Sequence, residues 1–283
     1  MFPPPGPQPP SFNTLLITGP YHPSAPIHLA LSLDQRAILL SPSRDVFLED
    51  LQRFNDSWLN SNSGKGRFTN LSSNVSIFYP PTAAHLCLLL STLCVSGPNA
   101  HENERRINDP KIFQPSAPNL IIVTELSKYF LSENDSPPTS TLTTSSYLTL
   151  LNRVLVLLGN LNSSVGPPPK FALFDSRLDA FNLPITSNVE ELPNHHPRQT
   201  RVLPIIENYF EWIGVFEDDS SYIPSSQGEE TTSDEGIHKQ LRIYHSAEGS
   251  ADDVRIHQWV EKRRLLPSES EPATDFHHVT STA

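Results

Sequence analysis

The sequence predicts an α/β fold: a mostly parallel sheet flanked by helices, with an antiparallel β-section at the C-terminal end. Three observations carry that expectation. Residues 13–33 pass from an apolar strand, Leu15 to Thr18, through a turn opened by Gly19 into a short apolar helix starting near Pro26. Short, wholly apolar runs within 36–42 and at 120–123 suit strands covered on both faces, as parallel strands are. Strands and helices alternate as far as residue 176, which points to βαβ units, and aromatic, β-branched segments come after them.

Taken in order, residues 1–11 read as a disordered proline-rich tail, and 12–264 as one α/β domain. Asp45 to Leu59 makes an amphipathic helix whose stripe is Val46, Phe47, Leu51, Phe54 and Trp58, with Asp45 as its cap. Residues 61–67 break it as a solvated loop, and 74–79 form a further strand. The helix expected over 81–95 is apolar almost all round and should be deeply packed, with Cys87 and Cys94 on one face as buried thiols. A leucine-rich helix over 145–158 ends at Gly159 as its C-cap, and a strand is expected near 170–176. Residues 207–216, 239–245 and 254–264 suit antiparallel strands. Flexible loops are expected at about 97–117, 131–144, 176–200 and 217–238, and a disordered tail at 265–283.

Composition narrows the function. With 283 residues the chain can bury a substantial core, and a net charge of −11 argues against a whole-protein grip on nucleic acid or an acidic membrane. The 28 prolines and 18% charged residues predict much irregular structure. No apolar run reaches membrane-spanning length, and the first ten residues have neither the basic nor the apolar region of a secretory signal. The sequons at Asn55, Asn70, Asn74, Asn134 and Asn162 then read as chance matches. His85, and the His195–His196 pair, have no partners at metal spacing, so no metal site is expected.

A strand, a glycine turn and a helix is the frame of a phosphate-binding loop, G-x-x-x-x-G-K-[ST]. Gly19 takes the first glycine, but Ser24 stands at the second, Ala25 at the lysine and Pro26 at the Ser/Thr. Ala25 carries no charge for the β/γ-phosphates, and Pro26 has neither a hydroxyl for Mg²⁺ nor a backbone N–H. At the end of the 120–123 strand, where a hydrolase places an aspartate, stand Thr124 and then Glu125, which strand alternation should turn away. The run after the second strand, 41–45, offers no acid to polarise water.

These elements, with the Glu-Leu-Ser-Lys-Tyr-Phe run at 125–130 and the run from Leu203 to Trp212, resemble the RecA-type recombinase core over roughly residues 12–262. Within that superfamily the chain looks most like the small recombinase paralogues of Shu-type complexes. The resemblance implies a non-catalytic subunit of a DNA recombination-repair assembly, nuclear or else cytoplasmic. It implies no cofactor and a hetero-oligomer with another recombinase paralogue or a SWIM-domain protein. The alternatives are an Elongator-type RecA-like subunit in tRNA modification, or a weak NTPase using Glu125 or Lys65. Single-stranded DNA would be met by Arg177, Arg198 and Arg201, extended by Lys262, Arg263 and Arg264. Tyr209, Phe210 and Trp212 are the candidate protein interface.

Overall fold

The computed structural model describes residues 1–4, 6–33, 35–95, 113–114, 117–131, 142–161, 168–185, 199–218, 236–247, 254–264 and 272–279. In chain order these form β1 (Thr14–Thr18), α1 (Ala25–Ser32), β2 (Ala37–Leu40), α2 (Arg44–Phe54), α3 (Ser57–Asn62), α4 (Gly66–Ser73), β3 (Val75–Phe78) and α5 (Ala83–Thr92). Next come β4 (Cys94–Val95), β5 (Phe113–Gln114), β6 (Leu120–Thr124), α6 (Thr144–Leu161), β7 (Lys170–Asp175), β8 (Asn182–Pro184) and β9 (Gln199–Arg201). The last elements are α7 (Leu203–Ile206), β10 (Trp212–Asp218), β11 (Ile237–His245), β12 (Arg255–Arg264) and β13 (Ala273–Val279).

Nine strands make one sheet in the order β13-β12-β11-β10-β1-β7-β6-β2-β3. From β3 to β10 the neighbours are parallel; β11, β12 and β13 are added antiparallel. The expected mixed α/β architecture is therefore the observed one. The apolar runs explain it, because both faces of β1, β2, β6 and β7 are covered. Leu16, Ile38, Leu40, Ile121, Val123, Phe171 and Leu173 face the core under α5 and α6. Their neighbours Leu15, Ile17, Leu39, Leu120, Ile122, Ala172 and Phe174 face the other core, with Leu29 of α1 and Phe47 of α2. Each such buried Leu, Ile or Phe stabilises the fold by about 1.5–3 kcal/mol over an exposed one.

Several expectations are corrected. The proline-rich start is no loose tail: Met1 and Phe2 are each 1% exposed. The Phe2 ring meets Trp259 edge-on at 4.8 Å and also packs against His22, Phe276 and His278. That aromatic nest is reached only through tertiary contacts, so composition did not reveal it. The last segment likewise carries β13, which pairs with β12 over Ala273–Val279. Thr274 fixes it by donating N–H to the Asn55 carbonyl (2.8 Å) and its hydroxyl to that of Phe54 (2.5 Å). β10 runs parallel to β1 and antiparallel only to β11.

The 45–59 helix is two helices. Asn55, in the left-handed region at φ 51°, ends α2, and Asp56 caps α3 by accepting from the Trp58 and Leu59 N–H groups at 3.0 Å. Ser43, not Asp45, caps α2, accepting from Val46 N–H at 3.3 Å. The supposed loop at 61–67 narrows to residues 63–65, between α3 and α4. In α5 only Leu86 and Leu90 are buried, and Leu88 is 61% exposed. Cys94 lies beyond that helix on β4, so the two cysteines do not share a helical face; Cys87 is half-buried. Gly159 sits inside α6 rather than capping it. Of the loops expected to be flexible, 96–112, 115–116, 132–141, 186–198 and 219–235 lie outside the described residues. The 176–200 segment carries β8, paired antiparallel with β9.

Candidate functional site

The β1–α1 turn is built on Gly19. Its φ is +79°, and a Cβ there would stand 2.1 Å from the Phe216 carbonyl oxygen, so only glycine passes. Pro26 sits in the first turn of α1, as its fixed φ favours. The polar groups of this corner turn inward, unlike those of a phosphate cradle. Ser24 is fully buried and its hydroxyl donates to Asp56 Oδ2 at 2.6 Å. His28 Nε2 donates to the same oxygen at 2.7 Å. With its proton committed to Asp56, Ser24 Oγ accepts from His22 Nδ1 at 3.0 Å. His22 stacks on Phe54 at 5.5 Å, and its Nε2 is buried without a hydrogen-bond partner among the described residues.

The charge states are set by this packing. Burial holds the His22 pKa well below its ordinary value, with the neighbouring His28 acting in the same direction. Burial also lowers His28, outweighing the hydrogen bond and charge of Asp56. For Asp56, burial pushes the pKa up, but the hydrogen bond from His28, then Ser24 and the Leu59 N–H, bring the net shift down. The cluster is an ionised aspartate with four donors, beside neutral imidazoles.

On the other side of the turn, a 280 Å³ cavity opens at the carboxyl ends of β1, β2, β6 and β7. In parallel α/β sheets this is where ligands bind. Glu125 lines it, against the expectation that it would point away, because its φ of 52° breaks the strand alternation. Its Oε1 accepts from the Tyr21 hydroxyl (2.6 Å) and the Ser176 N–H (3.1 Å), and its Oε2 from the Ser176 hydroxyl (3.0 Å). Thr124 is buried and gives its hydroxyl to the Leu40 carbonyl at 3.3 Å. Asp50 of α2, Lys128 and Arg177 complete the charged lining. Beneath it lies Asp175, fully buried, accepting from the Ser127 N–H and hydroxyl, each at 2.7 Å, and from the Arg177 N–H at 3.3 Å. Burial, and then the Glu125 charge, raise its pKa to about 7.

Sequence reasoning placed Gly19, Ser24, Ala25, Pro26, Thr124 and Glu125 at this corner, and the structure gathers them there. It missed Asp50, Asp56, Asp175, His22 and His28. Only Asp175 carried a sequence signal, as the polar end of an apolar strand. The basic candidates are dispersed. Arg177 lines the 280 Å³ cavity, Arg201 is exposed on β9, and Arg198 lies outside the described residues. Lys262 and Arg263 belong to β12 and both line a second cavity; Arg264 pairs through its backbone with Ala273. As an interface residue Phe210 is corrected: it is 2% exposed and stacks on Phe171 at 5.6 Å. Tyr209 and Trp212 are half-buried, and Trp212 meets His245 edge-on at 5.1 Å.

No protein-family model matches this chain, and no curated protein matches it significantly. Among the described residues, no group of three or more His, Cys, Asp or Glu is placed to hold a metal ion, and no helix is long and apolar enough to cross a membrane.

Proposed function

We propose that the chain is a RecA-like subunit that acts without catalysis, as a docking body in a DNA recombination-repair assembly of the Shu type. The observation that supports this reading most is the inward turn of the β1–α1 corner. Phosphoryl transfer needs a cation on the β/γ-phosphates and a hydroxyl and a carboxylate on Mg²⁺. At those places Ala25 is buried and uncharged, Pro26 has no hydroxyl, and Thr124 is bonded to the Leu40 carbonyl, while the nearby Ser24 hydroxyl is bonded to Asp56. The charges lining the cavity are balanced, Asp50 and Glu125 against Lys128 and Arg177, where a triphosphate needs a net positive field. The partner in this reading is another recombinase paralogue or a SWIM-domain protein, in the nucleus, with single-stranded DNA close by.

Affinity purification of the tagged chain from cells that express it, followed by mass spectrometry, tests the proposal. A stoichiometric recombinase paralogue or SWIM-domain protein is the expected result. Recovery of two RecA-like Elongator subunits instead would replace this reading with one in tRNA modification, and absence of any stoichiometric partner would contradict both.

A further inference from the structure

A third cavity, of 430 Å³, lies between α1, α3, α4 and the first residues of the chain. Its floor is made by Phe2, His28 and Leu31, all buried, and its walls by Trp58, Phe68 and Leu71. The Trp58 ring meets His28 edge-on at 5.4 Å and Phe68 edge-on at 5.9 Å, so one residue from each of the three helices builds an aromatic corner. The polar side chains below the rim are already bonded within the protein. The Ser32 hydroxyl donates to the Leu29 carbonyl at 2.9 Å, and His28 Nε2 donates to Asp56. Asn62 donates from Nδ2 to the Trp58 carbonyl at 2.8 Å, and its Oδ1 accepts from Lys65 Nζ at 3.0 Å. Of the lining residues, Pro4, Gln8 and Lys65 are exposed and form the rim.

We infer that this cavity takes a small, uncharged, largely apolar molecule that carries an aromatic ring. Such a ring has Trp58 and Phe68 to pack against, with Leu31 and Leu71 completing the apolar contact. The volume falls within the range of ligand pockets, about 300–1,000 Å³. The ligand is uncharged because the polar side chains below the rim are spent inside the protein, so a charge taken there would lose its water without replacement. A small molecule is favoured over a protein partner by where the apolar surface lies. Phe2, Leu31, Trp58, Phe68 and Leu71 are all buried or half-buried behind the rim, not spread as the exposed patch that marks a protein interface. The inference stands apart from the docking proposal, which needs neither this cavity nor its occupant.

The probe is N-phenyl-1-naphthylamine, a neutral aromatic dye whose fluorescence rises out of water, titrated into the full chain. Saturable binding of one dye per chain is the expected result. Phe68→Ala, which removes a wall, and Leu71→Trp, which fills the cavity, should each weaken it by about tenfold or more. Cooperative thermal melting identifies the variants that are folded, and either one suffices. Leu88→Ser, on the exposed face of α5, should bind as wild type, which excludes adsorption to surface apolar groups. The anionic relative of the dye, anilinonaphthalene sulfonate, should bind more weakly than the neutral one. Absence of saturable binding, or undiminished binding by the folded variants, would overturn the inference. So would tighter binding of the sulfonate that Lys65→Gln removes, which would make the site one for anions. Displacement of the dye by a protein partner recovered with the chain would give the cavity to a side chain of that partner, and would overturn the inference as well.

Discussion

Two buried aspartates flank the same turn and end in opposite charge states. Asp56 is 4% exposed and Asp175 is 0% exposed, and each accepts several hydrogen bonds. Burial pushes both pKa values up, yet Asp56 ends below its ordinary value and Asp175 reaches about 7. The neighbour separates them. Asp56 faces hydrogen-bond donors, His28 foremost, while Asp175 is the more deeply buried and faces the Glu125 carboxylate, and two nearby carboxylates at low dielectric do not both ionise readily. This corner is thus built around its own polar groups. On one side a carboxylate is used up as a structural acceptor, and on the other a carboxylate holds a proton to near neutrality.

The largest way to break the contrast is Asp56→Ala. It strips Ser24 and His28 of their acceptor and removes the cap of α3 in one change, and should cost about 3–5 kcal/mol in urea denaturation. Unchanged stability would mean that the cluster is incidental. Next is Gly19→Ala, which meets both a left-handed φ and the Phe216 carbonyl. It should cost about 1–3 kcal/mol by the same measurement.

Asp175→Asn sharpens the contrast through pH. The folded Asp175 keeps its proton to about pH 7, whereas the unfolded chain releases it near the ordinary value of 3.8. Its contribution is therefore complete below the unfolded value and is lost as pH rises through about 7. The Asn variant should lose that decline, so that its melting temperature falls less than that of wild type between pH 4 and pH 8, read from thermal melts. A parallel pH dependence in the two proteins would contradict a proton held on Asp175 to near neutral pH. The smallest effect is expected for Leu88→Ser, which changes a 61% exposed residue of α5 and should alter stability by no more than about 0.5 kcal/mol.

The parallel sheet was readable because strands covered on both faces leave unbroken apolar runs, as at Leu120–Val123 and within Lys170–Asp175. The β1–α1 corner was readable because Gly19 and Pro26 occupy positions that only such residues suit. The packed N-terminus was not: proline-rich composition hides that Phe2 reaches Trp259 and His278, near the far end of the chain. Nor did the strand pattern reveal the aim of Glu125, which depends on a left-handed backbone angle that a non-glycine residue rarely adopts. Asp56 was hidden for a related reason. A short turn at Asn55 splits an amphipathic stripe that looked continuous, and the cap it creates meets Ser24 and His28 only across the fold.

At the centre of this reading, the corner keeps the frame of a nucleotide loop while its polar groups are bonded to the protein itself. Steady-state ATP hydrolysis by the purified chain, at saturating Mg-ATP and with and without its recovered partner, tests this most directly. No turnover above the blank is the expected result. Turnover that Glu125→Gln or Asp50→Asn removes would contradict it.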